Sequence, residues 1–182
     1  MTRPGEHAEI SDGGAIITDI EDVSVMALSP DQLAGLVGQG GLCVFNWTTS
    51  DGYPVGVLVA YVFRDGRFWT TAPARRKRVP ALRARPASSV VISSNGTAAT
   101  FKGDSIIHSP GDPGWEALKD WFYGALSGTA RSPEDIGART MRRLLDSPHR
   151  VIIETPARPV VSFDWAKFER AFGATVANGQ AG

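Results

Sequence analysis

Three short apolar runs separated only by chain reversals constrain this sequence most. Residues 42–49 and 54–63 are rich in Val, Phe, Trp and Tyr and are joined by Ser50-Asp51-Gly52; Asp65-Gly66 then leads into a third run, residues 67–71. Residues of this kind prefer strands, and Asp-Gly reversals between them specify consecutive antiparallel hairpins. The third run ends in Thr70-Thr71 and enters a dense basic turn, Arg75-Arg76-Lys77-Arg78, which opens a short helix. Hydroxyls, backbone N–H groups at a helix start and cationic side chains together suit a phosphate monoester. Phosphate loops more often follow the first strand of a βαβ unit, so a cradle directly after a β-meander is an unusual order.

The remaining pattern extends the meander. Residues 89–94 read as a fourth strand, 97–108 as a fifth bent at Gly103, and 150–155, continuing through Val160-Val161, as a sixth. Six short strands with few helices point to a closed or partly closed antiparallel barrel. The second strand is apolar nearly throughout, which implies cover on both faces, by core on one and by a ligand or second subunit on the other. Gly56 within it marks a bulge or a close backbone approach. Ser29-Pro30-Asp31-Gln32 supplies an N-cap, a first-turn proline and a capping-box glutamine, with Leu28 and Leu33 as the staple. Leu33, Leu36 and Val37 form its stripe, and Gly38, Gly40 and Gly41 end it. Between the fifth and sixth strands, Trp115, Leu118, Phe122, Ala125 and Leu126 share a helical face flanked by Trp121 and Tyr123. Ser132-Pro133-Glu134-Asp135 signals one more helix, with Ile136, Met141, Leu144 and Leu145 as its stripe. The reading is one domain over residues 25–172 between loose tails, 1–24 and 173–182.

Charge and composition exclude several classes. The 19 basic and 19 acidic residues balance, so no global field attracts nucleic acid or an anionic membrane, and aromatic residues do not interleave with the basic cluster. The cluster itself admits three readings: a cofactor phosphate site, a solvated helix face or a nucleic-acid patch. The single cysteine, Cys43, lies in an apolar run and reads as a small buried hydrophobe. No run approaches the roughly 20 apolar residues of a membrane span, and the first residues lack a signal-peptide core, so the expected location is cytoplasmic. The three histidines show no metal-ligand spacing, and no Gly-x-Ser-x-Gly elbow is present. His108 at a strand end leaves an axial haem role open.

Read together, Asp51-Gly52-Tyr53-Pro54, the apolar strand, Asp65-Gly66-Arg67-Phe68-Trp69-Thr70-Thr71 and Arg76-Lys77-Arg78-Val79-Pro80-Ala81-Leu82-Arg83-Ala84-Arg85-Pro86 resemble the pyridoxamine-phosphate-oxidase-like family of flavin-binding proteins. The stretches Val151-Ile152-Ile153-Glu154 and Ser162-Phe163-Asp164-Trp165-Ala166-Lys167 resemble that family's last strand and exit. The resemblance implies a mainly β fold, a six-stranded antiparallel split β-barrel with short flanking helices, in a homodimer with FMN between the subunits. It assigns the FMN phosphate to Thr70, Thr71, Arg76, Lys77 and Arg78, and the isoalloxazine ring to the backbone of Val57, Leu58 and Val59. Two departures narrow the activity. Val57 and Val62 stand where true pyridoxamine-phosphate oxidases carry an Arg and a Lys, and the sequence ends without that enzyme's Arg-x-His pair. A substrate carrying its own phosphate needs such cations.

The resulting expectation is an FMN-dependent oxidoreductase acting on a small molecule other than pyridoxamine phosphate. The alternatives are a deazaflavin coenzyme on the same barrel, for whose longer tail Arg83 and Arg85 offer cations, and a non-catalytic flavin or haem binder. A missing catalytic dyad does not weigh against an enzyme, because a flavin carries the electron chemistry itself. The aromatic helix reads either as core or subunit-interface packing, or as a wall over the flavin.

Overall fold

The computed structural model describes residues 23–171 together with the backbone of residues 10–11 and 14–15, which pair as a two-residue ladder. The tails expected at 1–24 and 173–182 fall almost wholly outside the described residues. A 3-10 turn, Ser24–Met26, precedes helix α1, Pro30–Gly38. The strands are β1 Gly41–Thr48, β2 Pro54–Arg64, β3 Arg67–Pro73, β4 Ala87–Ser94, β5 Thr97–Asp104, β6 Ile106–His108, β7 Arg150–Pro156 and β8 Arg158–Asp164. Helix α2, Arg78–Ala84, lies between β3 and β4; α3, Trp115–Ser127, and α4, Ile136–Leu145, lie between β6 and β7. Residues 165–171 are helical.

All neighbouring strands are antiparallel, in the order β8-β5-β4-β1-β2-β3-β7-β6, and the sheet curls into a half-barrel. Eight strands replace the expected six because two long runs each break. The fifth breaks at Ser105 and not at Gly103; the sixth breaks at Ala157, so β7 pairs with β3 while β8 crosses to β5. Both breaks serve barrel closure. The Ser105 hydroxyl links Ser88 and Thr155 at 2.7 Å each, a buried polar chain joining β4 to β7 across the seam. Gly103 lies against Pro156 so closely that a Cβ there would collide with the Pro156 carbonyl.

Local chemistry accounts for the turns and caps. Asp65 and Asn95, each followed by Gly, adopt positive φ together with that glycine, the geometry whose twist suits a two-residue hairpin. Both halves of the α1 capping box form: Ser29 Oγ accepts from the Gln32 amide at 3.2 Å, and Gln32 Oε1 accepts from the Ser29 amide at 2.9 Å. Helix α4 departs from expectation. Asp135, not Ser132, caps it, accepting from the Ala138 amide at 2.6 Å. Of the expected stripe only Leu145 is buried, while Ile136, Met141 and Leu144 stay exposed.

Two apolar clusters flank the sheet. Inside the half-barrel, Phe68 meets Tyr61, Phe63 and Phe101 with ring centroids 5.5, 4.9 and 5.1 Å away. Val79 and Leu82 of α2 are fully buried in the same cluster, which pins the helix across the barrel mouth. Outside, α3 lays Trp115, Phe122 and Tyr123 on Ile152, Val62 and Trp69. Cys43 is buried in the interior core, and burial pushes its thiol up to about 12, as a structural cysteine requires. Gly56 sits in an unbroken register; the Asn46 side chain lies over it where a Cβ would be.

Candidate functional site

β2 and β3 separate after three residue pairs. Their ladder covers only Val62 with Trp69, Phe63 with Phe68 and Arg64 with Arg67, beside the Asp65-Gly66 turn. Beyond it β3 stays with β7, placing Thr71 opposite Ile152 and Pro73 opposite Arg150. β2 stays with β1, placing Val57 opposite Phe45 and Val59 opposite Cys43. A gap opens between them. Along it the β2 edge through residues 57–59 has no ladder on that side among the described residues, so alternate backbone N–H and C=O groups face the gap.

The gap holds an open cavity of about 720 Å³, within the range of small-molecule sites. Trp47, Val57, Leu58 and Val59 form one wall, Thr71 and Pro73 the other. Its end is the basic turn, Arg75, Arg76, Lys77 and Arg78, joined by Arg150 from the head of β7. The turn is held firmly. The Ala74 amide donates to the His149 carbonyl at 2.7 Å, the Arg76 amide to the Pro73 carbonyl and the Val79 amide to the Arg76 carbonyl, both at 2.9 Å. Buried Val79 and Leu82 fix the helix that follows.

Among the described residues, no carboxylate lines this cavity. Arg78 Nη2 donates to the Thr71 carbonyl at 2.9 Å. Burial, then the positive charges of Arg76 and Arg150, lower its pKa, although a guanidinium remains charged near neutral pH. Arg150 Nε is buried with no hydrogen-bond partner. The Tyr123 hydroxyl is likewise buried with no partner of good geometry; Thr71, Arg150, Asp146 and Lys119 are its polar neighbours, and burial raises its pKa. Like charges gathered beside an open cavity make an anion site.

Seven of the eight expected site residues therefore meet in one cavity: Val57, Leu58, Val59, Thr71, Arg76, Lys77 and Arg78. Thr70 is the correction. Strand alternation turns it away from Thr71 and into the barrel interior, where it is 1% exposed. Sequence reasoning misses Trp47, Pro73 and Arg150. For Arg150 the only signal is a cation heading the last apolar run, and its approach to the turn depends on the pairing of β3 with β7.

A second polar cluster lies farther along the same two strands. Glu154, nearly buried, accepts from Arg67 Nη1 at 2.5 Å and pairs with His108 Nε2 at 2.7 Å. The His108 ring stacks on Trp69 with centroids 5.9 Å apart. With Nε2 held by Glu154, an axial haem role would have to break this pair. Among the described residues, no group of three or more His, Cys, Asp or Glu is arranged to hold a metal ion, and no helix is long and apolar enough to cross a membrane.

No family model matches the chain, and no curated protein is similar to it in sequence. Solved structures are similar in fold. Rv2991, a conserved hypothetical protein from Mycobacterium tuberculosis, aligns over 80% of this chain and 91% of its own with TM-score 0.64 at 20% identity. An FAD-binding protein from Mesorhizobium loti aligns over 75% and 94% with TM-score 0.57 at 17% identity. A pyridoxamine 5′-phosphate oxidase-related, FMN-binding protein from Nostoc punctiforme aligns over 75% and 84% with TM-score 0.53 at 13% identity. The shared feature is the curled antiparallel sheet.

Proposed function

We propose that this chain, which has the fold of the pyridoxamine 5′-phosphate oxidase-like FMN-binding proteins, binds a flavin in the gap between β2 and β3 and is a flavin-dependent oxidoreductase. FMN is the smallest group that satisfies the site. One observation carries the reading: Arg75, Arg76, Lys77, Arg78 and Arg150 gather on one cavity that no carboxylate lines among the described residues. A dianionic phosphate relieves that repulsion with charge-assisted hydrogen bonds. The unladdered β2 edge at Val57, Leu58 and Val59 offers backbone donors and acceptors to the polar rim of a flat heterocycle. Trp47 and Leu58 supply apolar surface beside it.

A flavin bound there supplies hydride chemistry. The chain's own residues bind and orient. The basic turn anchors the phosphate, the β2 backbone sets the ring plane, and fixed N–H groups favour negative charge developing on the ring's polar side. Thr71 gives its hydroxyl hydrogen to the Val151 carbonyl at 2.7 Å, leaving oxygen lone pairs and not a donor. Its part is therefore to hold β3 against β7 beneath the turn.

The substrate class follows from what the second strand lacks. Val62 packs on Trp69 beneath α3 and Val57 packs against the interior core, so neither position offers a cation for a phosphorylated substrate. We therefore assign a small, largely apolar or aromatic substrate and not pyridoxamine phosphate.

A second copy of the chain completes the site in this reading. Leu58, Val44, Val91, Thr100 and Val161 stand directly opposite one another in a row across five strands. Leu58, Val44 and Val161 are 65%, 37% and 55% exposed. An apolar row of this kind on an outer sheet face marks an association surface. Leu58 belongs both to it and to the cavity wall, so a homodimer would cover the cavity mouth.

Titration of ligand-free protein with FMN, followed by quenching of flavin fluorescence, tests the reading. Lys77→Ala combined with Arg78→Ala should weaken binding about a hundred-fold, roughly 2.7 kcal/mol, while the protein remains folded. Unaltered FMN affinity in the double variant contradicts the placement.

A further inference from the structure

Another cavity, of about 530 Å³, begins where the flavin segment of β2 ends. Its floor is Leu42, Ala60 and Val62. One wall is bare backbone, Gly38, Gly40 and Gly41 between α1 and β1, where an added Cβ would meet nothing. The Tyr61 hydroxyl steadies that wall by donating to the Val37 carbonyl at 3.2 Å. Ala125 and Leu126 of α3 form another wall, and the α3–α4 connection adds Ala130 and Arg131. Arg131 is the one charged side chain among the described residues that line the cavity. Arg139 and Arg142 of α4 are paired, with Glu134 at 3.2 Å and Asp120 at 2.7 Å, whereas Arg131 has no ion pair among the described residues. Asp135, which shares an adjoining hollow with Arg131, already accepts from the Ala138 amide as the cap of α4. Backbone bonds hold the arginine in place: the Ala130 amide donates to the Gly124 carbonyl at 3.1 Å, and the Arg131 amide to the Gly128 carbonyl at 3.0 Å.

An apolar hollow with one uncommitted guanidinium suits a single carboxylate, which the planar fork meets through two hydrogen bonds. A phosphate dianion asks for several cations, as the basic turn provides and this cavity does not. Ala60 pairs with Leu42, and Leu58 with Val44 beside them on the same face. Two residues of strand, about 7 Å, therefore separate the floor from Leu58 in the flavin segment. We propose that this cavity receives the substrate, a small carboxylic acid with an apolar or aromatic body: its carboxylate pairs with Arg131, and its body lies on Ala60 towards the flavin. The assignment rests on the β2–β3 gap being the flavin site, and it narrows the apolar substrate class to acids.

Isothermal titration of the full chain, with and without FMN, tests this with benzoate, phenylacetate and 3-phenylpropionate and with their primary amides, in wild type, Arg131→Gln and Ala125→Leu. The proposal expects at least one acid to bind about ten-fold more tightly than its amide and to perturb the visible absorption of the bound flavin. Arg131→Gln should erase the preference for the acid. Ala125→Leu, which fills the cavity, should weaken acid and amide alike. FMN affinity should be unaltered in both variants, which shows that they are folded. Acids that bind no more tightly than their amides, that ignore Arg131→Gln or that leave the flavin spectrum unmoved overturn the assignment, and so does the absence of any binding; all of these leave the flavin reading standing. Protein that takes up no FMN, yet binds an acid through Arg131, overturns the flavin reading and the substrate role built on it.

Discussion

The outer face of β3 and β7 carries cations at both ends, and the two ends are built in opposite ways. Where Trp69 pairs with Glu154, one nearly buried carboxylate satisfies both Arg67 and His108. Where Pro73 pairs with Arg150, four residues along the same strand and about 13 Å away, the cations of the basic turn meet Arg150 with no carboxylate among the described residues that line the cavity. The first end completes its own hydrogen bonding. The second leaves Arg150 Nε unsatisfied and lowers the pKa of Arg78 through burial and the charges of Arg76 and Arg150. Arginine stands at both ends; compensation separates a structural ion cluster from a binding site.

The contrast can be broken by removing a charge at each end. At the compensated end, Glu154→Ala strands two groups that the carboxylate satisfies. Arg67 and His108 are partly exposed, so the loss is below that of a fully buried pair, about 2 kcal/mol of folding stability, read as a lowered Tm with FMN affinity intact. At the uncompensated end, Arg150→Gln should do the reverse. Affinity for FMN should fall about ten-fold, roughly 1.4 kcal/mol, while the ligand-free protein melts no lower than wild type because a repulsion is relieved. Equal destabilisation by the two substitutions would erase the distinction.

Ionic strength sharpens the comparison at smaller amplitude. Raising salt from 50 mM to 500 mM should weaken FMN binding several-fold, since the open cavity admits counter-ions, with little change in the Tm set by the Glu154 cluster. A third compensated group gives the smallest effect. Burial raises the pKa of Asp164, but the Gln32 side-chain amide and the backbone amides of Lys167 and Ala166 outweigh it and hold the carboxyl below its ordinary value. A depressed folded value means its contribution is complete above the ordinary carboxylate range and disappears as pH falls through the depressed one. Gln32→Ala should therefore lessen acid sensitivity slightly, as read from Tm against pH below about pH 4.

Local chemistry made much of this molecule legible. Asp65-Gly66 identifies a hairpin because few residue pairs tolerate positive φ twice, and the Ser29 to Gln32 spacing identifies a cap because both hydrogen bonds lie within one turn. Non-local pairing was not legible. The strand breaks at Ser105 and Ala157 arise from closure across the seam, where Ser105 reaches Ser88 and Thr155, and nothing adjacent in sequence announces them. The same limit explains Thr70 and Arg150. Hydroxyls at successive positions must face opposite sides of a strand, so only one of Thr70 and Thr71 can reach the cavity, and the core decides which. Arg150 joins a turn more than seventy positions earlier solely through the register of β3 with β7. Helix α4 failed for another reason: two cap signals, Ser132 and Asp135, overlap, and the later one caps the helix.

A crystal structure of the protein with FMN tests the central claim most directly. The account predicts the phosphate within hydrogen-bonding distance of at least two of Arg76, Lys77, Arg78 and Arg150, with the ring along the β2 edge at Val57, Leu58 and Val59. A flavin bound elsewhere, with the basic turn facing bulk solvent and touching no ligand, would contradict it.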